Sequence, residues 1–330
     1  MDNVLKKLFP QHTFQLAPVS PGASSKRFFR VSGSLPSLWK QSSLLLQSME
    51  HKPESLTDYI EIQRVFESQS VPSPKIFYKN TEFNFLLIED LGEQTLENLA
   101  RGDRFSIRDF YFKAIDLLIR LQIIPGFVSP LAARRAFDYE KFTYEYQFHF
   151  REQLLKNYYQ FELTQKEEKI FDDFHHKLAA ELASQPRVFT HRDFQSSNLL
   201  YLYDRLHLVD FQDARWGLAQ YDLVSLIEDV YVTLDESLKL ELKKYYLGKT
   251  AQLDLYNPDL FDQIYDQALI QRKLHDAGAF VYTYKLFGNK KYLPYISNVI
   301  SHALQTMRRY EAFGDAYDLL NRIMTYGDHR

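Results

Sequence analysis

Hydrophobic and polar positions change their spacing near residue 90. Before it, Phe28-Phe29-Arg30-Val31 and Leu44-Leu45-Leu46 are short β-like runs, separated by a segment that holds Ser, Gly and Pro. Over 57–69, Ile60, Val65 and Phe66 fall among charged residues, which predicts a helix with Thr57 as its N-cap. Pro72 and Pro74 end it. Two strands, 75–78 and 83–88, follow with a turn at Lys79-Asn80-Thr81.

After Leu96 the period becomes helical, with amphipathic stretches at 107–123, 139–158, 165–183, 220–233, 260–279 and 293–310. One β insertion interrupts them, 199–203 and 206–209, linked by a tight Asp204-Arg205 turn. There is no internal repeat or low-complexity tract. The pattern predicts an α+β chain: a small strand-rich lobe, 1–90, joined near Glu89-Asp90-Leu91-Gly92 to a larger helical lobe, 91–330.

Composition narrows the function more than the fold. With 45% hydrophobic and 25% charged residues, the 330-residue chain has an ordinary soluble balance. A formal charge of -3 argues against a nucleic-acid partner, since phosphate backbones demand a basic face. Lys290-Lys291 beside Gly288-Asn289 reads as a solvated turn. The absence of cysteine excludes disulfides, thiolate zinc sites and cysteine nucleophiles. No signal-peptide core opens the sequence, and no run nears the roughly 18 apolar residues of a membrane span. The expectation is a cytoplasmic protein, monomeric, away from membranes.

The decisive stretch is His191-Arg192-Asp193-Phe194-Gln195-Ser196-Ser197-Asn198, followed by the hairpin and then Asp210-Phe211-Gln212. Phosphoryl transfer asks a protein to orient a hydroxyl, neutralise phosphate charge and hold magnesium. Asp193 on a loop suits the hydroxyl. Asn198 and Asp210 offer the hard oxygen donors that a metal ion bridging phosphates requires, and antiparallel strands would bring both to the hairpin's open end. Phe194 and Phe211 supply apolar anchors beneath. No G-x-x-x-x-G-K-[ST], G-x-G-x-x-G, H-E-x-x-H or G-x-S-x-G competes. The residues predict an ATP- and Mg2+-dependent kinase of a small molecule.

These stretches, with Asp213-Ala214-Arg215-Trp216-Gly217 and Tyr221-Asp222-Leu223-Val224-Ser225-Leu226, resemble the aminoglycoside-phosphotransferase superfamily. Within it the resemblance is nearest to the N-acetylmuramate/N-acetylglucosamine anomeric kinases of cell-wall recycling. Ser24-Ser25-Lys26-Arg27-Phe28-Phe29-Arg30-Val31 is similar to the family's nucleotide loop, Leu86 through Gly92 to its hinge, and Gln271-Arg272 through Gly278 to its late helix. The resemblance implies a bilobal protein-kinase-like fold and transfer to the C1 hydroxyl of an N-acetylated amino sugar.

Several positions stay open on sequence alone. Ser24, Ser25, Lys26 and Arg27 sit where a loop would cover phosphates, although only Gly22 lends it glycine character, and a solvated turn is the alternative. The third strand, Leu44-Leu45-Leu46-Gln47-Ser48, has no lysine to meet the phosphates, a gap that the resemblance also implies for the anomeric kinases. Lys26, Arg27 or Arg30 must then supply the cation. The backbone of Glu89 and Leu91 would take the adenine. Asp222 reads as a helix cap that braces the catalytic loop. Asp213 and Arg215 could reach sugar hydroxyls or pair with each other, and Glu145 is a further acidic candidate. Arg272 and His275, one turn apart, read as a substrate contact or an interhelix pair. His175-His176, without metal-ligand company, reads as an exposed helix face. An aminoglycoside, choline or homoserine acceptor, or a non-catalytic scaffold, are the rival readings.

Overall fold

Antiparallel pairing builds the first part of the chain. In the computed structural model, which describes residues 1–19, 26–34, 43–48, 54–102 and 104–327, it comprises α1 (Asp2–Leu8), β1 (Thr13–Val19), β2 (Lys26–Ser34), β3 (Ser43–Ser48), α2 (Glu54–Ser68), β4 (Ile76–Asn80) and β5 (Phe85–Glu89). The strands order β1-β2-β3-β5-β4. Alternation along them sorts the two faces: Leu45, Phe85 and Leu87 pack with Leu5 of α1, while Leu46, Leu86 and Ile88 pack with Leu56 and Ile60 of α2. α2 begins three residues before the expected cap, so Thr57 lies inside the helix. β4 runs through Asn80, and the turn follows it, with Asn84 in the left-handed region (φ 55°). The pattern missed β1, which carries Pro18 and lies at the sheet edge, where a missing N–H costs least.

The remaining elements are α3 (Leu96–Ala100), α4 (Arg104–Gln122), α5 (Pro130–Arg134), α6 (Tyr139–Glu145), α7 (Gln165–Ala183), β6 (Arg187–Thr190), β7 (Leu199–Leu202), β8 (Arg205–Leu208), β9 (Arg215–Leu218), α8 (Ala219–Ile227), α9 (Glu236–Thr250), α10 (Phe261–Phe287), α11 (Ile296–Met307) and α12 (Gly314–Gly327). α7 occupies the expected span, because Thr164 and Glu167 close a reciprocal capping box at its start. α8 stops six residues short of expectation: Asp229 turns away to accept the Ser196 and Tyr231 N–H groups. α10 runs eight residues longer, through the strand-like Phe280-Val281-Tyr282-Thr283-Tyr284, of which Phe280 and Val281 are buried. α9, α12 and the β6–β9 pair were not foreseen. Among the described residues, no helix is long and apolar enough to cross a membrane.

α6 continues as a π-helix, Tyr146–Tyr158, against which α10 packs. Contact is closest at Gly278, where an added Cβ would fall 1.9 Å from the His149 carbonyl oxygen. Backbone cannot yield as a side-chain tip can. Gly278→Ala is therefore expected to destabilise the protein by about 2 kcal/mol through overpacking, visible as a lower denaturation midpoint. An unchanged midpoint would mean that the two helices separate without cost. The packing of α7 on α6 and the π-helix corrects the expectation for His175, which is buried, stacks on Tyr146 (centroids 4.1 Å apart) and meets Thr143 Oγ1 at 3.0 Å; His176 alone is exposed.

Candidate active site

β6 delivers the loop that carries Asp193. Its next residues, His191 and Arg192, both point their N–H groups at the Asp222 carboxylate, at 2.6 and 3.0 Å. Asp222 therefore braces the loop, from the first turn of α8 and not from its N-cap, which is Leu218. Burial pushes the Asp222 carboxyl up to about 7, against the two backbone donors that favour its charge. Arg192 adopts a left-handed backbone (φ 79°), an unfavourable state for this residue type. It is held from the other side as well: Arg272 Nη1 donates to the Arg192 carbonyl at 2.6 Å.

The hairpin meets this loop at its open end. Leu199 pairs with Leu208, and Val209 N–H donates to the Asn198 carbonyl at 3.1 Å, so Asn198 and Asp210 emerge beside each other. The turn falls at Tyr203-Asp204 (φ 51° and 60°), one residue before the expected pair, because both central positions of a two-residue loop need positive φ. Asn198 Nδ2 donates to the Asp193 carbonyl at 2.9 Å, leaving its amide oxygen for another partner. His191 ties the two halves: its Nε2 donates to Val209 O at 3.0 Å and its Nδ1 accepts from Asp193 N–H at 3.3 Å, a neutral ring whose pKa burial lowers. Phe211 is buried against Tyr59 and Phe66 of α2, at 4.6 and 5.0 Å between centroids, and Phe194 is equally buried.

Asp193, Asn198 and Asp210 all line one cavity of about 690 Å³ between the five-stranded sheet and the helices. Toward the sheet its wall is largely apolar, with Val19, Phe28, Leu44, Leu46 and Ile88. Away from it, α10 and the π-helix contribute His149, Arg272, His275 and Tyr282. Arg272 Nη1 lies 3.0 Å from Asp193 Oδ1, and Nε lies 2.9 Å from Asp276 Oδ1. Burial by itself would raise the Asp193 carboxyl, but Arg272 and Arg192 overcome it and hold the group well below the ordinary carboxylate range.

The phosphotransferase enzyme family model matches residues 15–256, most of the chain. The chain belongs to this family. A relative from Neisseria meningitidis serogroup B, named N-acetylmuramate/N-acetylglucosamine kinase, is 29% identical over 98% of this chain and 95% of its own length. One of the same name from Pseudomonas aeruginosa is 27% identical over 89% of this chain and 86% of its own. Among solved structures, the gentamicin–APH(2″)-IIa complex superposes with a TM-score of 0.65 at 16% identity, covering 95% of this chain and 97% of that one. The protein is thus a phosphotransferase with the α+β, protein-kinase-like fold expected from its sequence.

The other anticipated residues of this phosphotransferase divide. Glu89 and Leu91 line the sheet side of the cavity, and the Leu91 N–H and C=O have no partner among the described residues. Arg30 is tied to Asp90 (2.8 Å) and Glu93 (2.6 Å), which anchors β2 to the connecting segment. Arg27 is exposed on β2, and the side chain of Lys26 is outside the described structure, as are Ser24 and Ser25. Glu145 does not line the cavity. It is fully buried beside the Arg192 loop, 3.2 Å from Lys141 and 3.5 Å from Arg192; burial opposes its ionisation, but His275 and Arg192 bring it down to about 2. Arg215 is also buried outside the cavity, with its Nε on the Asp213 carbonyl (3.2 Å) and its guanidinium over Phe137. Asp213, half-exposed, lies 4.0 Å from Arg192. Glu145 and Asp213 therefore flank the Arg192 guanidinium, and Arg215 is held against Asp213 and Phe137.

Sequence reasoning missed three braces. Asp229 holds the Ser196 N–H at 2.8 Å. Arg135 links α2 to the Asp210 loop through Asp58 (2.5 Å) and the Gln212 carbonyl (3.2 Å), in place of a strand-to-helix ion pair. His149 faces His275, with centroids 4.3 Å apart.

Proposed function

We propose that the chain is an ATP-dependent kinase transferring the γ-phosphoryl group to the anomeric hydroxyl of N-acetylmuramate or N-acetylglucosamine. The observation that carries the reading is a single cavity with a largely apolar sheet side and a polar helical side, meeting at Asp193. The end-to-end similarity to kinases so named supports the acceptor. In this reading residues 1–90 cover the nucleotide, with adenine against the backbone of Leu91, and residues 91–330 hold the acceptor. Asp193 aims the hydroxyl at the phosphorus and takes its proton late, as suits a loose transition state. Asn198 and Asp210 fit a magnesium ion: both are oxygen donors, and Gln212 Nε2, 3.0 Å from Asp210 Oδ1, orients the carboxylate. Bound magnesium would neutralise phosphate charge. Arg272 already pairs with Asp193 and Asp276, which engages these two carboxylates and weighs against a polycationic acceptor.

The test is ATP consumption with N-acetylmuramate, N-acetylglucosamine, other hexoses, kanamycin and choline. Turnover is expected on the two amino sugars and not on their methyl glycosides, whose C1 oxygen is blocked. Phosphate appearing only on kanamycin or choline would sink the sugar assignment, and turnover of the methyl glycosides would move the reaction to another hydroxyl.

A further inference from the structure

The cavity face of α10 recurs at helical spacing, with Arg272, His275, Asp276, Ala279, Phe280 and Thr283. It starts at the partner of Asp193. About 12 Å further along the axis, at the rise of an α-helix, Phe280 stacks on Tyr292 with centroids 5.5 Å apart. Tyr292 belongs to the 3-10 turn Lys290–Tyr295, and it lines the cavity together with Lys291. The turn is set by its backbone: Gly288 takes the left-handed conformation (φ 67°), and the Asn289 side chain accepts the Lys291 N–H at 3.0 Å. The solvated turn expected from the sequence is present, but one of its lysines faces the cavity.

Three side chains of fixed positive charge line that cavity among the described residues. Arg192 is engaged by Glu145 and Asp213, and Arg272 by Asp193 and Asp276. Lys291 has no carboxylate partner among the described residues; its Nζ lies 5.4 Å from the centre of the Tyr292 ring. An ammonium group on a flexible stem in the wall of this cavity suits an anionic substituent remote from the reacting hydroxyl. The two amino sugars differ in one such group: N-acetylmuramate carries a lactyl ether ending in a carboxylate, where N-acetylglucosamine has a hydroxyl.

We propose that Lys291 is a specificity-determining residue that pairs with the lactyl carboxylate, so that the enzyme prefers N-acetylmuramate to N-acetylglucosamine. The inference rests on the amino-sugar reading above. Tyr231, whose ring centre lies 6.2 Å from that of Tyr292, lines the cavity beside the ammonium and offers an aromatic surface to the body of the sugar.

Lys291→Met keeps the stem and removes the charge. The KM for N-acetylmuramate is expected to rise about tenfold, the scale of one charge-assisted hydrogen bond, with the KM for N-acetylglucosamine and for ATP unchanged. Lys291→Arg should retain most of the preference. Raising salt to about 0.5 M should erode the preference of the parent enzyme and leave the Met variant unaffected, since screening acts only on the ion pair. An equal rise for both sugars, a rise in the KM for ATP, or no change at all would each overturn the proposal. Failure of the parent enzyme to phosphorylate either sugar would remove the amino-sugar reading itself, before any variant is compared.

Discussion

Replacing Asp193 by Asn is expected to lower turnover by about 10²-fold or more, the range of a positioned acid–base group, while ATP binding is retained. The substitution is nearly isosteric. It leaves the backbone carbonyl that receives Asn198 Nδ2 and offers Arg272 an amide oxygen in place of a carboxylate oxygen. What it removes is the charge, and with it the capacity to accept a proton. Because Arg272 and Arg192 keep Asp193 ionised, the carboxylate is a weak base and a well-oriented hydrogen-bond acceptor. Its contribution is then alignment of the hydroxyl, with proton transfer late, and the loss should fall on kcat more than on the acceptor KM. Calorimetric titration with ATP and single-turnover kinetics check the two halves. Near-normal turnover would remove Asp193 from the mechanism; lost ATP binding would make it a nucleotide contact.

The arrangement of Asp193, Asn198 and Asp210 was legible in sequence because it is local. His191 through Asn198 and the hairpin to Asp210 lie within twenty residues, and strand pairing alone brings Asn198 and Asp210 together. Asp222 was readable as a brace because it opens an apolar helix just beyond, although its carboxylate leaves the helix for the loop and caps nothing. α7 was readable to the residue, since Thr164 and Glu167 act within one turn.

Partners set by topology were not legible. Glu145 looked like an acceptor contact because an acid in the helical region has no local partner in the sequence. The fold buries it beside Arg192, 47 residues away. Arg30 was one of three candidate phosphate cations until Asp90 and Glu93 came beside it across the sheet. α10 concealed its cavity face for a related reason: it is buried on nearly every side, so no polar stripe marked the residues that face Asp193.

The second large effect is expected at Arg272, a positioning residue. Arg272→Met fills similar volume with an apolar chain, yet leaves Asp193 and Asp276 without their cation and frees the Arg192 carbonyl. Removing one member of a buried pair costs about 3–5 kcal/mol, because the remaining charge is desolvated and unpaired. Release of the left-handed Arg192 backbone adds a loss of loop order, so kcat should fall with stability. The pH dependence separates these causes. Burial alone raises the Asp276 carboxyl, and Arg272 brings it below its ordinary value. A carboxyl depressed by folding contributes stability above its unfolded pKa, and that contribution is lost as pH falls through the folded value. Without Arg272 only His275 and Lys273 oppose the burial, so Asp276 contributes less stability while ionised. The gap in denaturation midpoint between parent and Arg272→Met should therefore be widest near pH 7 and shrink toward pH 4, near the ordinary carboxylate pKa. Adding Asp276→Asn to the variant should recover part of the stability at pH 7 without restoring turnover. A gap independent of pH would mean that Arg272 acts through packing alone, and full recovery of turnover in the double variant would mean that the Arg192 carbonyl needs no clamp.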